Sequence, residues 1–197
     1  NNIIKSLLIE NEKNFKVNII KINLSINKEV EIFIERLLKK FETPKYIIHL
    51  AAPPLSFKRF KDLSIRELNS NFNIQVRSIA LILSKLIPLM KKNSFQNKIL
   101  LVISSSVQKP TPQYMSSYII AKYALLGLLD TIYAEYSKNN IDINAISPSM
   151  LDTKFLKNIP EHFKIFIASK NVNKKLLNKK NIIPDILFNL SPKSDNI

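Results

Sequence analysis

The chain of 197 residues has no cysteine, no tryptophan, one glycine and two histidines. Without cysteine, a disulfide framework, a thiolate nucleophile and a cysteine-bound metal are excluded. His49 and His162 stand in no cluster with carboxylates at ligand spacing, so we predict no metal site. The single glycine, Gly127, excludes a glycine-rich phosphate loop within these residues, because such a loop needs several positions that only glycine tolerates.

Long apolar runs are also missing. No stretch of about 18 apolar residues is free of charge, and the N-terminal NNIIKSLLIENEKN lacks the apolar centre of a signal peptide. We therefore expect no membrane span and a cytoplasmic protein. Hydrophobic residues make up 46% and charged residues 23%. This composition is globular, and the length favours one domain over residues 1–197.

Acidic residues are scarce, since 15 Asp and Glu stand against 30 Lys and Arg, for a net charge of +15. The basic residues are nearly all lysines, spread from Lys5 to Lys193. A composition rich in Lys, Asn and Ile explains this charge, so we expect no nucleic-acid partner. An acidic partner, such as a carrier protein, or a phosphorylated substrate is the alternative explanation.

Apolar β-branched segments alternate with segments of helical periodicity. Strands are predicted at 15–22, 45–51, 98–104 and 141–147, and helices at 27–41, 64–92, 115–138 and 182–190. This order predicts right-handed βαβ crossovers and an α/β fold, with helices on both faces of a parallel sheet. Polar clusters at 49–52, 104–106 and 147–149 follow three of the strands, at the edge where ligands bind such sheets.

Three residues around the third strand form a candidate acid/base site. Tyr118 and Lys122 are four residues apart on a predicted helix and share a face, and Ser105 ends the preceding strand. A nearby cation favours phenolate and lowers the phenol's pKa. Lowering it from about 10 to near 7 requires about 4 kcal/mol, and one ammonium about 4–5 Å away supplies about 3–4 kcal/mol. We therefore predict a proton-transferring Tyr118, with Ser105 bonded to the substrate oxygen.

In order along the chain, these segments resemble the short-chain dehydrogenase/reductase family. INLS (22–25) is similar to the strand end that borders the adenine, and IIHLAAP (47–53) stands at the family's Asn-Asn-Ala-Gly stretch. The helix at 72–90 resembles the family's helix that carries the catalytic asparagine. INAISPSMLDT (143–153) resembles the segment that surrounds the nicotinamide. ILLVISSS followed by Tyr118 and Lys122 is similar to the catalytic strand and helix, and the whole chain resembles the 3-oxoacyl-carrier-protein reductase branch.

The resemblance implies a Rossmann-like, doubly wound parallel sheet and either NAD or NADP as cofactor. It implies that Ser105 orients the carbonyl, Tyr118 is the general acid/base, and Lys122 lowers its pKa and holds the nicotinamide ribose. Gln75 takes the catalytic asparagine's position. The residues it implies at the cofactor are Asn23, Leu24, Leu50, Ala51, Ala52, Tyr118, Lys122, Pro148, Ser149, Leu151 and Thr153.

The chain also departs from the family pattern. Gln75 carries one methylene more than asparagine, Asn23 replaces an aspartate, and Ala52 and Ser149 replace glycines. The family's first two strands, its glycine-rich turn and its final strand have no counterpart in these residues. We therefore expect a sheet truncated at both ends and a fragment of a longer reductase, with a degenerate chain as the alternative.

The predicted function is NAD(P)(H)-dependent interconversion of a carbonyl and a secondary alcohol on a small or carrier-linked acyl substrate, in particular a 3-oxoacyl thioester. Residues 154–181 are predicted to form a substrate-side lid, with an acidic acyl carrier protein as possible partner. Its lysines would meet the anion, and its apolar side chains would cover the acyl chain. The lysines are Lys154, Lys157, Lys164, Lys170, Lys174, Lys175, Lys179 and Lys180, and the apolar residues Phe155, Phe163, Ile165, Phe166 and Leu176.

Other functions remain open at this stage. A serine hydrolase is disfavoured because no G-x-S-x-G motif surrounds Ser105. The substrate could instead be a nucleotide-sugar or polysaccharide precursor. The apolar helices 74–90 and 119–134 suit a homodimer or homotetramer, and also a non-catalytic scaffold that dimerises. Core burial explains the same apolar composition equally well.

Overall fold

The computed structural model describes residues 17–169, 171 and 173–194. Its sheet has three parallel strands in the order β1-β2-β3: β1 Tyr46–His49, β2 Asn97–Val102 and β3 Ile141–Ile146. Ile47 lies opposite Ile99, and Ile99 opposite Ile143. The helices are α1 Asn27–Lys40, α2 Ile65–Phe72, α3 Ser78–Met90, α4 Ser116–Tyr136, α5 Glu161–Ser169 and α6 Ile183–Leu190.

The central strand β2 is buried along nearly its whole length. On one face, Ile99 and Leu101 pack in a core with Leu83 of α3 and Leu125 of α4. Side chains alternate between the faces of a strand, and the Lys98 ammonium reaches the carbonyl oxygen of Ser191 just after α6. Helices therefore cover both faces, which confirms the predicted α/β arrangement.

One long helix, Ile65–Met90, consists of α2, a π-helical turn at Asn73–Arg77 and α3. The predicted helix at 64–92 matches it, but the π turn was not predicted. By length and composition this helix could cross a membrane, a test that core helices of soluble proteins also pass. Here Ile79, Leu83 and Leu86 belong to the main core of the fold.

The predicted strand at 15–22 is wrong for the part that the structure describes. Residues 17–22 have no regular secondary structure, and residues 15 and 16 lie outside the described residues. Val17 and Ile19 are 50% and 62% exposed. A strand forms where a neighbour accepts and donates its backbone hydrogen bonds, and among the described strands β1 pairs only with β2. Segment 17–22 therefore lacks a pairing partner despite its β-branched composition.

The predicted lid at 154–181 packs against the rest of the fold in its described part; residues 170 and 172 lie outside that part. The backbone N–H of Leu55 donates to the carbonyl of Phe155, and Leu151 pairs with Leu177. Leu55, Met115, Leu156 and Ile159 form a second buried core beneath the segment. The segment contains a 3-10 turn at Lys154–Leu156, the helix α5, and the start of a second 3-10 turn at Lys179–Ile182.

Candidate active site

A cavity of about 520 Å³ lies at the carboxyl ends of the strands. Its walls come from the loops after β1, β2 and β3, from the start of α4, and from residues of the lid segment. The polar clusters at the strand ends contribute Ser104, Ser105, Ser106 and Ser149 to its lining. This volume is typical of a small-molecule site.

Three hydrogen bonds fix the loop after β2 at this cavity. The backbone N–H of Ser105 donates to the carbonyl of Pro148 at 3.0 Å, which joins the loops after β2 and β3. The Ser104 hydroxyl oxygen accepts from the N–H of Ser106 at 3.2 Å and starts a 3-10 turn. The Tyr123 hydroxyl, on α4, donates to the carbonyl of Val107 at 2.7 Å. The loop that presents Ser105 is thereby held against the helix that presents Tyr118.

Tyr118 and Lys122 line the cavity together. The Lys122 ammonium lies 5.5 Å from the centre of the Tyr118 ring and donates to the carbonyl of Val102, at the end of β2, at 2.7 Å. Phe155 also packs on Tyr118, and the two ring centres are 5.4 Å apart. Lys122 is only 4% exposed, so its charge acts within the protein interior.

Burial controls the protonation of both side chains. It raises the pKa of Tyr118 above its ordinary value of 10.0, and a hydrogen bond with Ser104 only partly offsets this. Burial also lowers the pKa of Lys122 from 10.5 to about 8. The expectation that Lys122 would bring Tyr118 towards neutral pH is therefore wrong for this structure. The loss of water around the phenol raises its pKa, and the Lys122 ammonium, which lies against the ring and bonds to a backbone carbonyl, does not reverse this.

Most of the other sequence-predicted residues also line the cavity, but four do not. Leu24 and Ala51 line a second, apolar cavity of about 510 Å³ beside β1. Asn23 lies in a turn before α1, where its side-chain oxygen accepts from the N–H of Ser25. Gln75 is fully buried in the π turn. The predicted residues in the lining are Leu50, Ala52, Ser105, Tyr118, Lys122, Pro148, Ser149, Leu151 and Thr153.

Of the apolar lid residues predicted to cover a substrate, Phe155 alone lines the described cavity. Phe163 packs instead on Phe57, with ring centres 4.8 Å apart, and belongs with Leu176 to the second core. Ile165 and Phe166 are 62% and 53% exposed. The sequence did not single out Ile167 and Ile182, which complete the apolar wall. The residue pattern around these two isoleucines gave no indication that their side chains face the cavity.

Gln75, which the sequence predicted as a site residue, belongs to a buried polar group whose other connections the sequence did not predict. His49 is 6% exposed, and its Nε2 lies 3.0 Å from the carbonyl oxygen of Gln75. Asn71 and Ser117 continue the group on α2 and α4. One feature of the sequence could have indicated this group: Asn71 and Gln75 are four residues apart on one helix, so their side chains share a face. Within the described ranges, no group of three His, Asp or Glu side chains is placed to hold a metal ion.

His49 gives the fold a pH dependence that can be measured. Burial lowers the pKa of His49 from 6.5 to about 4, helped by the charge of Lys122 and opposed by the hydrogen bond to Gln75. Between these pH values the unfolded chain binds a proton that the folded chain does not. Stability is therefore complete above pH 6.5 and falls by up to about 3 kcal/mol as the pH drops to 4. Denaturant unfolding at several pH values measures this loss.

Two matched variants show whether His49 causes this loss of stability at low pH. His49→Gln should remove this part of the pH dependence, whereas His162→Gln, at the exposed second histidine, should retain it. The same loss of stability between pH 6.5 and 4 in the parent and in His49→Gln would show that another group is responsible.

Comparison with known proteins places this chain in a family. A family model described as enoyl-(acyl carrier protein) reductase matches residues 4–197. The chain is 29% identical over 99 residues to human dehydrogenase/reductase SDR family member 4. These aligned residues make up 50% of this chain and 35% of that protein. It is 33% identical over 85 residues to human dehydrogenase/reductase SDR family member 2, mitochondrial, covering 43% and 29%. The matches thus span about a third of the length of these curated relatives.

Solved structures share the fold. A 4-hydroxyisoleucine dehydrogenase complexed with NADH and succinate covers 100% of this chain and 80% of its own, at 19% identity and a TM-score of 0.84. A 3-ketoacyl-(acyl-carrier-protein) reductase from Brucella melitensis complexed with NADH covers 89% and 72%, at 21% identity and a TM-score of 0.79. Together with the family match over residues 4–197, this shows that the chain belongs to the short-chain dehydrogenase/reductase family.

Proposed function

We propose that the protein containing this chain is an NAD(P)(H)-dependent oxidoreductase that interconverts a carbonyl and a secondary alcohol, with a 3-oxoacyl thioester as substrate. The supporting observation is that Ser105, Tyr118 and Lys122 line one cavity at the carboxyl ends of the strands. These side chains supply a hydroxyl to hold the substrate oxygen, a phenol to exchange its proton, and a cation beside the phenol.

Tyr118 moves the proton. Its raised pKa keeps the phenol protonated at neutral pH, so it donates to the carbonyl oxygen as negative charge develops there. The Ser105 hydroxyl donates a second hydrogen bond to the same oxygen. Lys122, which lies beside the ring, stabilises the phenolate left after proton transfer. When bound, the nicotinamide supplies or accepts the hydride.

The residues of the cavity fit the nicotinamide end of the cofactor. Lys122, Ser149 and Thr153 provide an ammonium and two hydroxyls for the ribose and the amide, and Pro148 provides a carbonyl. The single glycine, Gly127, lies inside α4 and is not part of the cavity lining, so it forms no turn around a phosphate there. The pyrophosphate has no glycine-rich cradle within these 197 residues, and neither NAD nor NADP is favoured.

The 197-residue chain by itself should therefore bind NADH and NADPH weakly or not at all. The nicotinamide contacts alone do not replace the backbone N–H groups that normally hold a pyrophosphate. Calorimetric titration of both cofactors tests this, with Lys122→Met as the control for binding at the cavity. Micromolar affinity that Lys122→Met abolishes would show that this chain carries a complete cofactor site.

The lining of the cavity supports an acyl substrate over a sugar. Leu55, Met115, Met150, Phe155 and Ile167 form an apolar wall, and none of the described residues of the lining is Asp or Glu. A polyol buried against this wall would lose hydrogen bonds to water, and only the opposite, polar part of the lining with its serines could replace them. An acyl chain loses none and gains apolar contact. The nucleotide-sugar and polysaccharide-precursor alternative is less well supported for this reason.

The lid lysines support a carrier-linked form of this substrate. Lys154, Lys157, Lys174, Lys175, Lys179 and Lys180 are exposed, whereas Lys164 pairs with Glu161 at 3.1 Å; Lys170 lies outside the described residues. An acidic acyl carrier protein would meet this positive surface. Each exposed pair contributes about 0.2–1 kcal/mol and is screened by salt, so the attraction is collective.

The test uses the protein that contains this chain. We expect higher kcat/KM for carrier-linked or coenzyme A-linked 3-oxoacyl thioesters than for free ketones, with KM for the carrier-linked substrate rising as salt is added. Replacing Lys174, Lys175, Lys179 and Lys180 by alanine should raise KM in low salt, while alanine at the remote Lys138 should not. A salt-independent KM, or equal efficiency on a nucleotide-linked sugar, would contradict the proposed substrate. Turnover of a 2-enoyl thioester alone would also contradict it.

A dimerising scaffold without catalysis is the second candidate. It is favoured by apolar residues left exposed on α4, namely Ile120, Tyr123 and Tyr133 at 43%, 39% and 53% exposure. The proposed enzyme would use the same face as a homodimer or homotetramer, so oligomeric state does not separate the two. Carbonyl-dependent turnover separates them.

A further inference from the structure

A chain of buried hydrogen bonds connects β1, the long helix and α4 beside the cavity. From β1, the His49 ring N–H donates to the carbonyl of Gln75 at 3.0 Å, since that acceptor requires a donor. The Gln75 side-chain nitrogen donates to the side-chain oxygen of Asn71 at 2.8 Å. The Asn71 side-chain nitrogen donates to the hydroxyl of Ser117 at 3.3 Å. Ser117 immediately precedes Tyr118 on α4.

The bonding of Asn71 fixes which way its own amide points. Its nitrogen donates both to Ser117 and to the carbonyl of Glu67, one helical turn earlier, at 3.1 Å. Only the amide oxygen of Asn71 then faces Gln75, and an oxygen can only accept. Gln75 must therefore turn its nitrogen towards Asn71.

This leaves the amide oxygen of Gln75 as an open acceptor. Gln75 is 0% exposed, and its Oε1 has no hydrogen-bond partner among the described residues. A buried acceptor without a partner is costly, and π-helical turns such as the one that holds Gln75 occur frequently at functional sites. The His49 ring bonds to the backbone carbonyl of Gln75, and Asn71 bonds to its side-chain nitrogen. These two contacts hold Gln75 in this conformation although its amide oxygen lacks a partner.

We propose that Asn71 is a positioning residue: it sets the orientation of the Gln75 amide so that the buried Oε1 of Gln75 remains an open acceptor and its nitrogen is held by Asn71. The functional half of this proposal rests on the proposed oxidoreductase function and on the resemblance that sets Gln75 at the position of the family's catalytic asparagine. Through Ser117, the same side chain fixes the start of α4 and thus the base of Tyr118.

The structural half is tested by NMR on the 197-residue chain labelled in its glutamine side chains. The sequence has four glutamines, and Gln75→Leu identifies the Gln75 signal by its loss. In the parent we expect one buried, exchange-protected NH₂ pair from Gln75. Asn71→Leu should lose this protection. Asn71→Asp keeps an acceptor for Gln75 and should preserve the protection. Ser117→Ala should also preserve it, because this variant removes only the hydrogen bond between Asn71 and Ser117.

Gln96 serves as the internal control, because its side chain donates to Asp142 at 2.6 Å, outside the group. Its signal should be unchanged in every variant. If Asn71→Leu also disturbs Gln96, then Asn71→Ala, which introduces no new bulk, takes its place. A Gln75 pair that keeps its protection and chemical shift without an Asn71 acceptor overturns the proposal.

The functional half is tested by kinetics on the protein containing this chain. Asn71→Leu should lower kcat about tenfold, the loss expected for one misdirected hydrogen bond, with little change in KM. Asn71→Asp should restore most of the rate, and Ser117→Ala should cost less than Asn71→Leu. An unchanged kcat in Asn71→Leu overturns the functional half, whereas a failure of the proposed function shows as no turnover in the parent.

Discussion

Replacing Tyr118 by phenylalanine is expected to lower kcat of the protein that contains this chain by about 10²–10⁴-fold, the usual contribution of a positioned acid/base group. The ring would remain in place against Phe155, so the cavity would keep its shape. The variant loses only the phenolic hydroxyl. KM for the carbonyl substrate should change little, because binding depends mainly on the apolar wall.

Tyr133→Phe is the matched control, since Tyr133 lies on the same helix, is 53% exposed and is not part of the cavity lining. Steady-state kinetics on the two variants, with circular dichroism to verify folding, decides the matter. Full activity in Tyr118→Phe would remove Tyr118 from the proton-transfer step.

Lys98→Ala should be among the most destabilising single substitutions in the chain. Lys98 lies on the central strand, its side chain is 5% exposed, and its ammonium is 2.9 Å from the Asp142 carboxylate on β3. It also donates to the carbonyl of Ser191 and to the hydroxyl of Ser194. Removing one partner of such a buried pair leaves the other charge poorly compensated, at a cost of about 3–5 kcal/mol.

The measurement is the free energy of unfolding by denaturant at neutral pH. The exposed Lys138 supplies the control, and Lys138→Ala should change stability by less than about 0.5 kcal/mol. The double variant Lys98→Met with Asp142→Leu, which replaces the pair by apolar groups, should recover much of the loss. Equal stability of Lys98→Ala and the parent would mean that the contacts of Lys98 with Asp142 and with the C-terminal segment do not stabilise the fold as described.

Elements that depend on local pattern were predictable from the sequence. The strand β2 carries a near-continuous apolar run, and β1 and β3 are rich in isoleucine. The helix α1, the long helix and α4 carry helical periodicity, so the order and type of these elements follow from residue spacing. The position of Ser105, Tyr118 and Lys122 at the strand ends follows from the same pattern, because a parallel sheet brings its carboxyl ends together.

Features that depend on tertiary context were not predictable. The segment 17–22 has strand composition but no described neighbour to pair with. The π turn at Asn73–Arg77 inserts one residue into a helix whose apolar pattern continues through it. The direction of the Tyr118 pKa shift is set by the burial of the phenol, and no sequence pattern measures burial at a single atom.

The most direct test of the proposed function is the rate of NADH and NADPH oxidation by the protein that contains this chain, with and without a 3-oxoacyl thioester. The proposed mechanism predicts a rate that requires the carbonyl compound, saturates with it, and yields the secondary alcohol in equal amount to the oxidised cofactor. Tight nicotinamide binding without carbonyl-dependent oxidation, on thioesters, free ketones and nucleotide-linked sugars alike, would contradict the mechanism and favour the scaffold.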